Sequence, residues 1–220
     1  KNHQNALRNP LAQMHKFLDF ETCNTVSDQN PLIAPPLRLT DCSLVTDGAA
    51  AVILASAERA KQFAREVEFR SLSHVSDLLP LSAHDFVAFE GPEKAITCAL
   101  QDGDIVLEDL DFAEVHDCFT IAELLIYEAM GLARPGEGHR AIEEGTVYRG
   151  GALPVNLSGG LKAKGHPVGA TGVSMLAMAF RQLTGTAGDL QLPNATLGLV
   201  FNMGGAGVAN YASVLEARRA

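Results

Sequence analysis

The chain has 220 residues, a net charge of −9 and an isoelectric point near 5.2. Apolar residues make up 47% and charged residues 20%, enough apolar material for a sizeable globular core. The acidic balance argues against nucleic-acid binding, and no apolar run has the length of a membrane span. The cysteines lack CxxC or zinc spacing, so we interpret them as free thiols of a cytoplasmic protein without a metal site: Cys23, Cys42, Cys98 and Cys118.

The first 64 residues carry only short structural signals. An amphipathic stretch covers Asn5 to Phe20, and a proline-bearing segment then excludes a continuing helix. Leu37 to Val45 is predicted to be extended, and the small apolar residues from Ala49 to Ala55 are predicted to form a buried strand. Ser56 is predicted to cap a short helix that ends near Ala64.

Strands and helices alternate over the rest of the chain, which predicts a layered α/β domain. The predicted strands are Val67–Val75, Leu110–Val115, Leu153–Leu157, Thr196–Phe201 and Val208–Leu215. The last two are predicted to form an antiparallel hairpin at one edge of the sheet. The predicted helices are residues 91–102, 120–130 with Gly131 as C-cap, and an apolar run over 173–183 with Pro167 near its first turn. His74 and His84 show no partner pattern and are interpreted as loop residues.

A glycine-rich turn between Asn156 and Gly172 links the strand ending at Leu157 to the last predicted helix. His166 lies in a Gly-His-Pro triplet where that helix is predicted to begin, and the field of a helix N-terminus disfavours a charged imidazole. A neutral imidazole takes a proton from an attacking group or donates a hydrogen bond to a developing oxyanion. Lys162 and Lys164 of the same turn would meet an anionic ligand.

Two further turns follow predicted strands, and ligands of open α/β sheets bind beyond strand ends. In the first, His116 offers an imidazole and Cys118 a thiol, at the opening of a helix that favours a thiolate. A cysteine taken alone is more often a packed core thiol. In the second, which begins at Asn202, Gly204 and Gly205 offer unobstructed backbone N–H groups to an oxyanion.

These three turns, in this order, resemble the motifs of the thiolase superfamily, and its sterol-carrier-protein-2 type above all. The matching segments are His116-Asp117-Cys118-Phe119, Asn156 through Pro167, and the glycine turn after Phe201. The run from Thr46 to Ala51 is similar to the segment that ends the N-terminal half of thiolases. The resemblance implies a thiolase-like layered αβα fold. Residues 1–64 would be the incomplete end of the N-terminal half, and residues 65–220 the C-terminal domain.

The resemblance also implies a chemistry, in which a carbon–carbon bond of 3-ketoacyl-CoA is made or broken through an acyl-cysteine. By that likeness His166 activates the nucleophilic cysteine, Cys118 is the acid/base at the substrate Cα, and His116 positions the oxyanion or its water. The turn around Gly204 supports a second oxyanion hole, with Asn202 standing where common thiolases have a second catalytic cysteine. The residues assigned to substrate or coenzyme A binding are Ser158, Gly159 and Lys162.

None of the four cysteines has the setting of the acylated cysteine of thiolases, among small residues at the start of a buried helix. The chain is therefore expected to be the C-terminal part of an acetyl-CoA acetyltransferase-like enzyme of lipid metabolism and to be inactive alone. Coenzyme A thioesters would be its substrates, with no other cofactor, and a homodimer or homotetramer is expected. Two alternatives remain open: a retro-aldolase on CoA thioesters, and a non-catalytic CoA-binding or assembly subunit.

Overall fold

The computed structural model describes residues 1–83, 85 and 87–218, so His84 lies outside the described residues. In that part of the chain the helices are α1 (Asn2–Ala6), α2 (Phe20–Asn24), α3 (Ala57–Ala60), α4 (Glu90–Asp102), α5 (Thr120–Ala129), α6 (Arg140–Glu143) and α7 (Thr171–Leu183). The strands are β1 (Leu32–Ala34), β2 (Leu37–Arg38), β3 (Val67–Ser76), β4 (Phe112–Val115), β5 (Leu197–Gly204) and β6 (Ala209–Ala217).

The main sheet has the strand order β3-β6-β5-β4. Strands β5 and β6 form the predicted antiparallel hairpin, and β4 runs parallel to β5. The hairpin was predicted at one edge of the sheet, and this position is wrong. Strand β3 pairs along the outer side of β6 from Val67 to Ser76, so the hairpin lies inside the sheet. Val115, at the end of β4, pairs with Phe201 of β5. The candidate turn that begins at His116 therefore starts beside Asn202.

The two faces of the sheet are covered by different helices, which confirms the layered αβα architecture. Along β5, Leu199, Phe201 and Met203 belong to one core, which also contains buried residues of α4 and α5. Val200 faces the other side and packs in a second core with residues of α7, among them Met175. This alternation is the period of two that a strand buried on both faces requires.

The N-terminal part differs from the prediction at several points. The run from Ala49 to Ala55 forms no strand, and Ile53 and Leu54 are 86% and 73% exposed. A strand is stable only when its backbone groups pair with a neighbour, and no described strand runs beside this segment. Ser56 caps α3 as predicted by accepting the N–H of Arg59, but the helix ends at Ala60. The amphipathic stretch that begins at Asn5 is helical only to Ala6.

Two predictions around the glycine-rich turn also need correction. Residues 153–157 form no strand, because they touch β4 by a single bridge between Val155 and Ala113. Asn156 then turns the chain at φ +55°, and its side-chain oxygen accepts the N–H of Val115 at 2.8 Å in place of a further strand bond. Helix α7 begins only at Thr171, so Pro167 lies in the preceding turn.

His74 is part of β3 instead of a loop, and its ring stacks on Tyr211 with 4.3 Å between the ring centroids. The position follows from the register, because His74 and Tyr211 are paired across β3 and β6. Tyr211 is also paired with Asn202 of β5, so it separates His74 from the candidate site across the sheet. That His74 has no part in the site stays a prediction.

Candidate active site

The register of two parallel strands brings His116 next to Asn202. Val115, the last residue of β4, pairs with Phe201 of β5. Because the two strands are parallel, the next residue of each, His116 and Asn202, are also neighbours across the sheet. The imidazole Nδ1 of His116 lies 2.6 Å from the amide Oδ1 of Asn202.

His166 reaches the same place from the glycine-rich turn. Its backbone forms a bridge with Val45, and its ring meets that of His116 edge to face, with 5.2 Å between centroids and 86° between planes. Three turns that are far apart in sequence thus meet at one point, through His116, Asn202 and His166.

Both imidazoles are held neutral at ordinary pH. Burial lowers the pKa of His116 to about 4, against a raising effect of the hydrogen bond to Asn202. Burial, together with the charge of Lys164, also lowers the pKa of His166. The predicted neutral state of His166 is therefore reproduced, although its principal cause is burial and not the field of a helix.

The side chain of Thr171 fixes the ring of His166. Its hydroxyl Oγ1 lies 2.7 Å from Nδ1 of His166 and 3.0 Å from the carbonyl oxygen of Pro167. Thr171 is 1% exposed, so this contact is shielded from water.

Cys118 lies two residues beyond His116, and its half-buried side chain packs against both cores. Burial and the neighbouring charge of Asp117 raise the pKa of the Cys118 thiol to about 11. The expectation that the start of α5 favours a thiolate is thus wrong, because desolvation and a like charge outweigh the field of the helix. A thiol in this state is a proton donor.

Sequence reasoning missed a buried group of charged residues beside the site. Asp117 Oδ1 accepts the N–H of Leu161 at 2.7 Å, and Oδ2 accepts that of Lys162 at 3.2 Å. The side-chain amide of Asn2 joins Asp117 to Glu123, at 2.7 and 2.9 Å. The only signal in the sequence is that both carboxylates interrupt apolar segments.

The pKa values of the two carboxyl groups are shifted in opposite directions. Burial, and then the charge of Glu123, raise the pKa of Asp117. For Glu123, burial acts to raise the pKa, but the charge and hydrogen bond of Lys1 outweigh it and the pKa is lowered. The Nζ of Lys1 lies 2.8 Å from Glu123, and the Lys1 side chain is only 3% exposed. The positive charge of Lys1 therefore pairs with Glu123, whereas the hydrogen bonds to Asp117 come from the N–H groups of Leu161, Lys162 and Asn2.

The residues assigned to coenzyme A have internal partners in this structure. Ser158 donates its hydroxyl to Glu114 at 2.5 Å, and Gly159, at φ +99°, packs against Ala6. The buried amine of Lys162 donates to the carbonyl oxygen of Cys42. Their role in binding stays a prediction.

The turn after β5 has open space beside Gly204, which is paired with Ala209 of β6. Gly204 is exposed at the end of β5, and the space where a side chain would begin is empty. Gly205 follows at φ +62°, a conformation that favours glycine. Support of an oxyanion by Gly204 stays a prediction.

The described residues contain neither a metal-binding cluster nor a membrane-spanning helix. Within residues 1–83, 85 and 87–218 no group of three or more histidine, cysteine, aspartate or glutamate side chains is arranged to hold a metal ion. In the same part of the chain no helix has the length and apolar character needed to cross a bilayer.

The fold and the three converging turns define an α/β protein of thiolase type. Residues 73–217 match the family described as "Thiolase C-terminal domain-like", and the chain belongs to that family. This confirms the resemblance found in the sequence.

Two curated relatives extend the match over most of the chain. Acetyl-CoA acetyltransferase of Methanothermobacter thermautotrophicus is 39% identical over 208 residues, which are 94% of this chain and 53% of that protein. Sterol carrier protein 2 of Oryctolagus cuniculus is 36% identical over 217 residues, covering 95% of this chain and 39% of that protein. The chain thus spans about half the length of the first relative and less of the second.

A solved structure described as an Ltp2-ChsH2(DUF35) aldolase has the same fold. Its TM-score is 0.86 and its sequence identity 22%, over 100% of this chain and 56% of that one. At that identity the likeness concerns the fold alone.

Proposed function

We propose that this chain supplies the histidine and thiol groups of a thiolase-type active site that acts on CoA thioesters. The observation that carries the proposal is the contact of His116 with both His166 and Asn202, which joins the three motifs into one site. Membership of the thiolase family supports the class of reaction.

Cys118 is proposed to donate a proton to the substrate Cα. When the bond between C2 and C3 of 3-ketoacyl-CoA breaks, its electron pair stays on C2 as the enolate of an acyl-CoA. A thiol with a pKa near 11 is protonated at neutral pH and can protonate that carbon. The protonated state of Cys118 therefore suits cleavage better than condensation.

His166 is proposed to be the base that removes the proton of a nucleophilic thiol. A neutral imidazole with a lowered pKa has the free lone pair that this step needs. The nucleophile would be a cysteine other than Cys23, Cys42, Cys98 and Cys118, so these 220 residues alone are expected to show no thiolase turnover. Coenzyme A thioesters are proposed as substrates, with no other cofactor, and a homodimer or homotetramer as the assembly.

A retro-aldol reaction is the second candidate, because it needs no acyl-cysteine. A histidine would take the proton of a 3-hydroxyl group, the bond between C2 and C3 would break to release an aldehyde or ketone, and Cys118 would protonate the resulting enolate. All of these groups are present in the chain. The structural neighbour described as an aldolase is consistent with this candidate.

Both candidates share the transfer of a proton between Cys118 and the substrate Cα, and this step can be tested without a nucleophile. Acetyl-CoA is incubated with the chain in deuterated buffer, and deuterium in the acetyl group is measured by mass spectrometry. Exchange requires removal of the Cα proton by the Cys118 thiolate, so we expect incorporation above the rate in buffer that increases with pH, its loss in Cys118→Ala, and its retention in Cys98→Ala. Binding of acetyl-CoA without any incorporation would reject the acid/base role and favour a non-catalytic CoA-binding subunit.

The two reactions are then separated by their products. If the chain alone releases an aldehyde from a 3-hydroxyacyl-CoA, the retro-aldol candidate is correct. If release requires added free CoA, a 3-ketoacyl substrate and a second polypeptide segment that becomes acylated on cysteine, the thiolase candidate is correct.

A further inference from the structure

The hydrogen bonds of Thr171 decide where the ring proton of His166 lies. A threonine hydroxyl has one proton and can accept through its lone pairs. If the hydroxyl donates to the Pro167 carbonyl at 3.0 Å, it must accept a proton from Nδ1 of His166 at 2.7 Å. If it donates to Nδ1 instead, its bond to Pro167 is lost.

The first arrangement makes one more hydrogen bond than the second. One net hydrogen bond shifts a population by about fivefold. Thr171 is 1% exposed, so water cannot readily supply the missing partner. The first arrangement, with the proton on Nδ1, is therefore favoured.

The second imidazole has the same constraint from a different residue. The Oδ1 atom of Asn202 is only an acceptor, and it lies 2.6 Å from Nδ1 of His116. Since His116 is neutral at ordinary pH, its single ring proton must be the one on Nδ1.

We propose that Thr171 and Asn202 are positioning residues that hold His166 and His116 in the same tautomer, with the proton on Nδ1 and the lone pair on Nε2. The two residues come from different elements, the first turn of α7 and the strand β5, and each contacts one ring. The catalytic use of these tautomers rests on the proposed function, but the tautomers themselves are properties of the folded chain.

The tautomer with the proton on Nδ1 determines which step each histidine can perform. A neutral imidazole with its lone pair on Nε2 can take a proton there, as a base for His166 requires. It cannot donate a hydrogen bond to an oxyanion from that atom. His116 would therefore act on an oxyanion through a water molecule that donates one proton to Nε2 and the other to the oxyanion, and direct donors would be backbone N–H groups.

The test is a long-range proton–nitrogen correlation spectrum of the isotope-labelled chain, which distinguishes protonated from unprotonated ring nitrogens. The two rings are assigned by comparison with His116→Gln and His166→Gln chains. We expect Nδ1 protonated and Nε2 unprotonated in both rings at pH 7.5. A protonated Nε2 on either neutral ring overturns the proposal for that ring, whatever the variants do.

Variants test whether Thr171 and Asn202 set the tautomers. Thr171→Val should lower the ratio of the Nδ1–H to the Nε2–H form of His166 about fivefold, and Thr171→Ser should restore it. Thr184→Val is the matched control, because Thr184 makes the same type of bond to the Phe180 carbonyl at 2.8 Å at the other end of α7. For His116, Asn202→Leu removes the acceptor without adding a charge and should relax the tautomer.

The outcomes separate this proposal from the proposed function. An unchanged tautomer in a folded Thr171→Val chain would show that another group sets it and would overturn the positioning role. If that variant does not fold, the wild-type spectrum and Thr171→Ser still decide. A chain with the expected tautomers but no deuterium incorporation from acetyl-CoA would reject the reaction and leave the positioning roles intact.

Discussion

The carboxylate of Asp117 accepts the backbone N–H of Leu161 at 2.7 Å. This bond joins the turn that carries Cys118 to the glycine-rich turn that carries His166. Asp117 is 1% exposed, and its second oxygen accepts the N–H of Lys162 at 3.2 Å. The relative position of two candidate catalytic turns thus depends on a residue that takes no part in the proposed chemistry.

Replacing Asp117 by asparagine should destabilise the chain. One acceptor oxygen becomes an amino group, and a buried backbone N–H then loses its partner, which costs about 1–3 kcal/mol. Chemical denaturation of Asp117→Asn measures the change in the free energy of unfolding. The exposed Asp102→Asn is the control and should differ from wild type by less than about 0.5 kcal/mol. Equal stability of the two variants would contradict the structural role of Asp117.

Gly160 should not tolerate a side chain. It has φ +61°, and a Cβ atom there would collide with the Asp117 carboxylate. Gly160→Ala is expected to lower the free energy of unfolding by more than about 2 kcal/mol, because left-handed backbone strain and overpacking add. Gly169→Ala in the same segment is the control, since open space surrounds that position. Similar stabilities by thermal and chemical denaturation would show that the turn can shift away from Asp117.

His116 should contribute to the acid lability of the fold. Its pKa is lowered from 6.5 to about 4, mainly by burial, so the unfolded chain binds this proton at a higher pH than the folded chain. The stabilisation is fully present above pH 6.5 and is lost as the pH falls from 6.5 to 4, by about 3 kcal/mol in all.

This contribution is isolated by comparing variants. His116→Asn should show a smaller fall in the free energy of unfolding over that pH range, measured by urea denaturation at a series of pH values. His139→Asn removes an exposed histidine and should follow the wild-type curve. Parallel curves for wild type and His116→Asn would mean that the His116 ring becomes charged without penalty.

The thiol of Cys118 should react slowly with alkylating reagents at neutral pH. The thiolate is the nucleophile, and a pKa near 11 leaves very little of it. In a chain with serine at the other three cysteine positions, the rate of reaction with iodoacetamide should rise steeply only towards pH 11. Asp117→Asn should move this rise to lower pH, because it removes a neighbouring negative charge. A faster reaction with an unchanged pH dependence would indicate greater exposure of the thiol instead.

Much of the fold could be predicted because local patterns carry it. The alternation in β3, the apolar stripe of α5 and the paired strands β5 and β6 all follow from the spacing of apolar residues. The strand predicted at residues 49–55 is wrong, because the prediction rested only on the small apolar composition of this segment. Composition predicts burial, but burial requires a neighbour, and these residues are exposed.

The site was predicted in part. His116, His166 and Asn202 were singled out from their motifs, and they are in contact. Asp117 and Glu123 were not identified, since the sequence pattern does not distinguish a buried carboxylate with partners from one that faces solvent. The direction of the pKa shift of Cys118 was missed because a sequence position next to a helix says nothing about desolvation.

The sequence by itself determined the strands β3 to β6, the long helices α4, α5 and α7, and which three turns carry chemical groups, because apolar periodicity and motif residues are local properties of the chain. Only the tertiary structure decided the protonation states, the partners of each imidazole and the charge pairs beneath the turns. These depend on burial and on distances of about 3 Å between atoms that are far apart in sequence, as between Asp117 and Leu161.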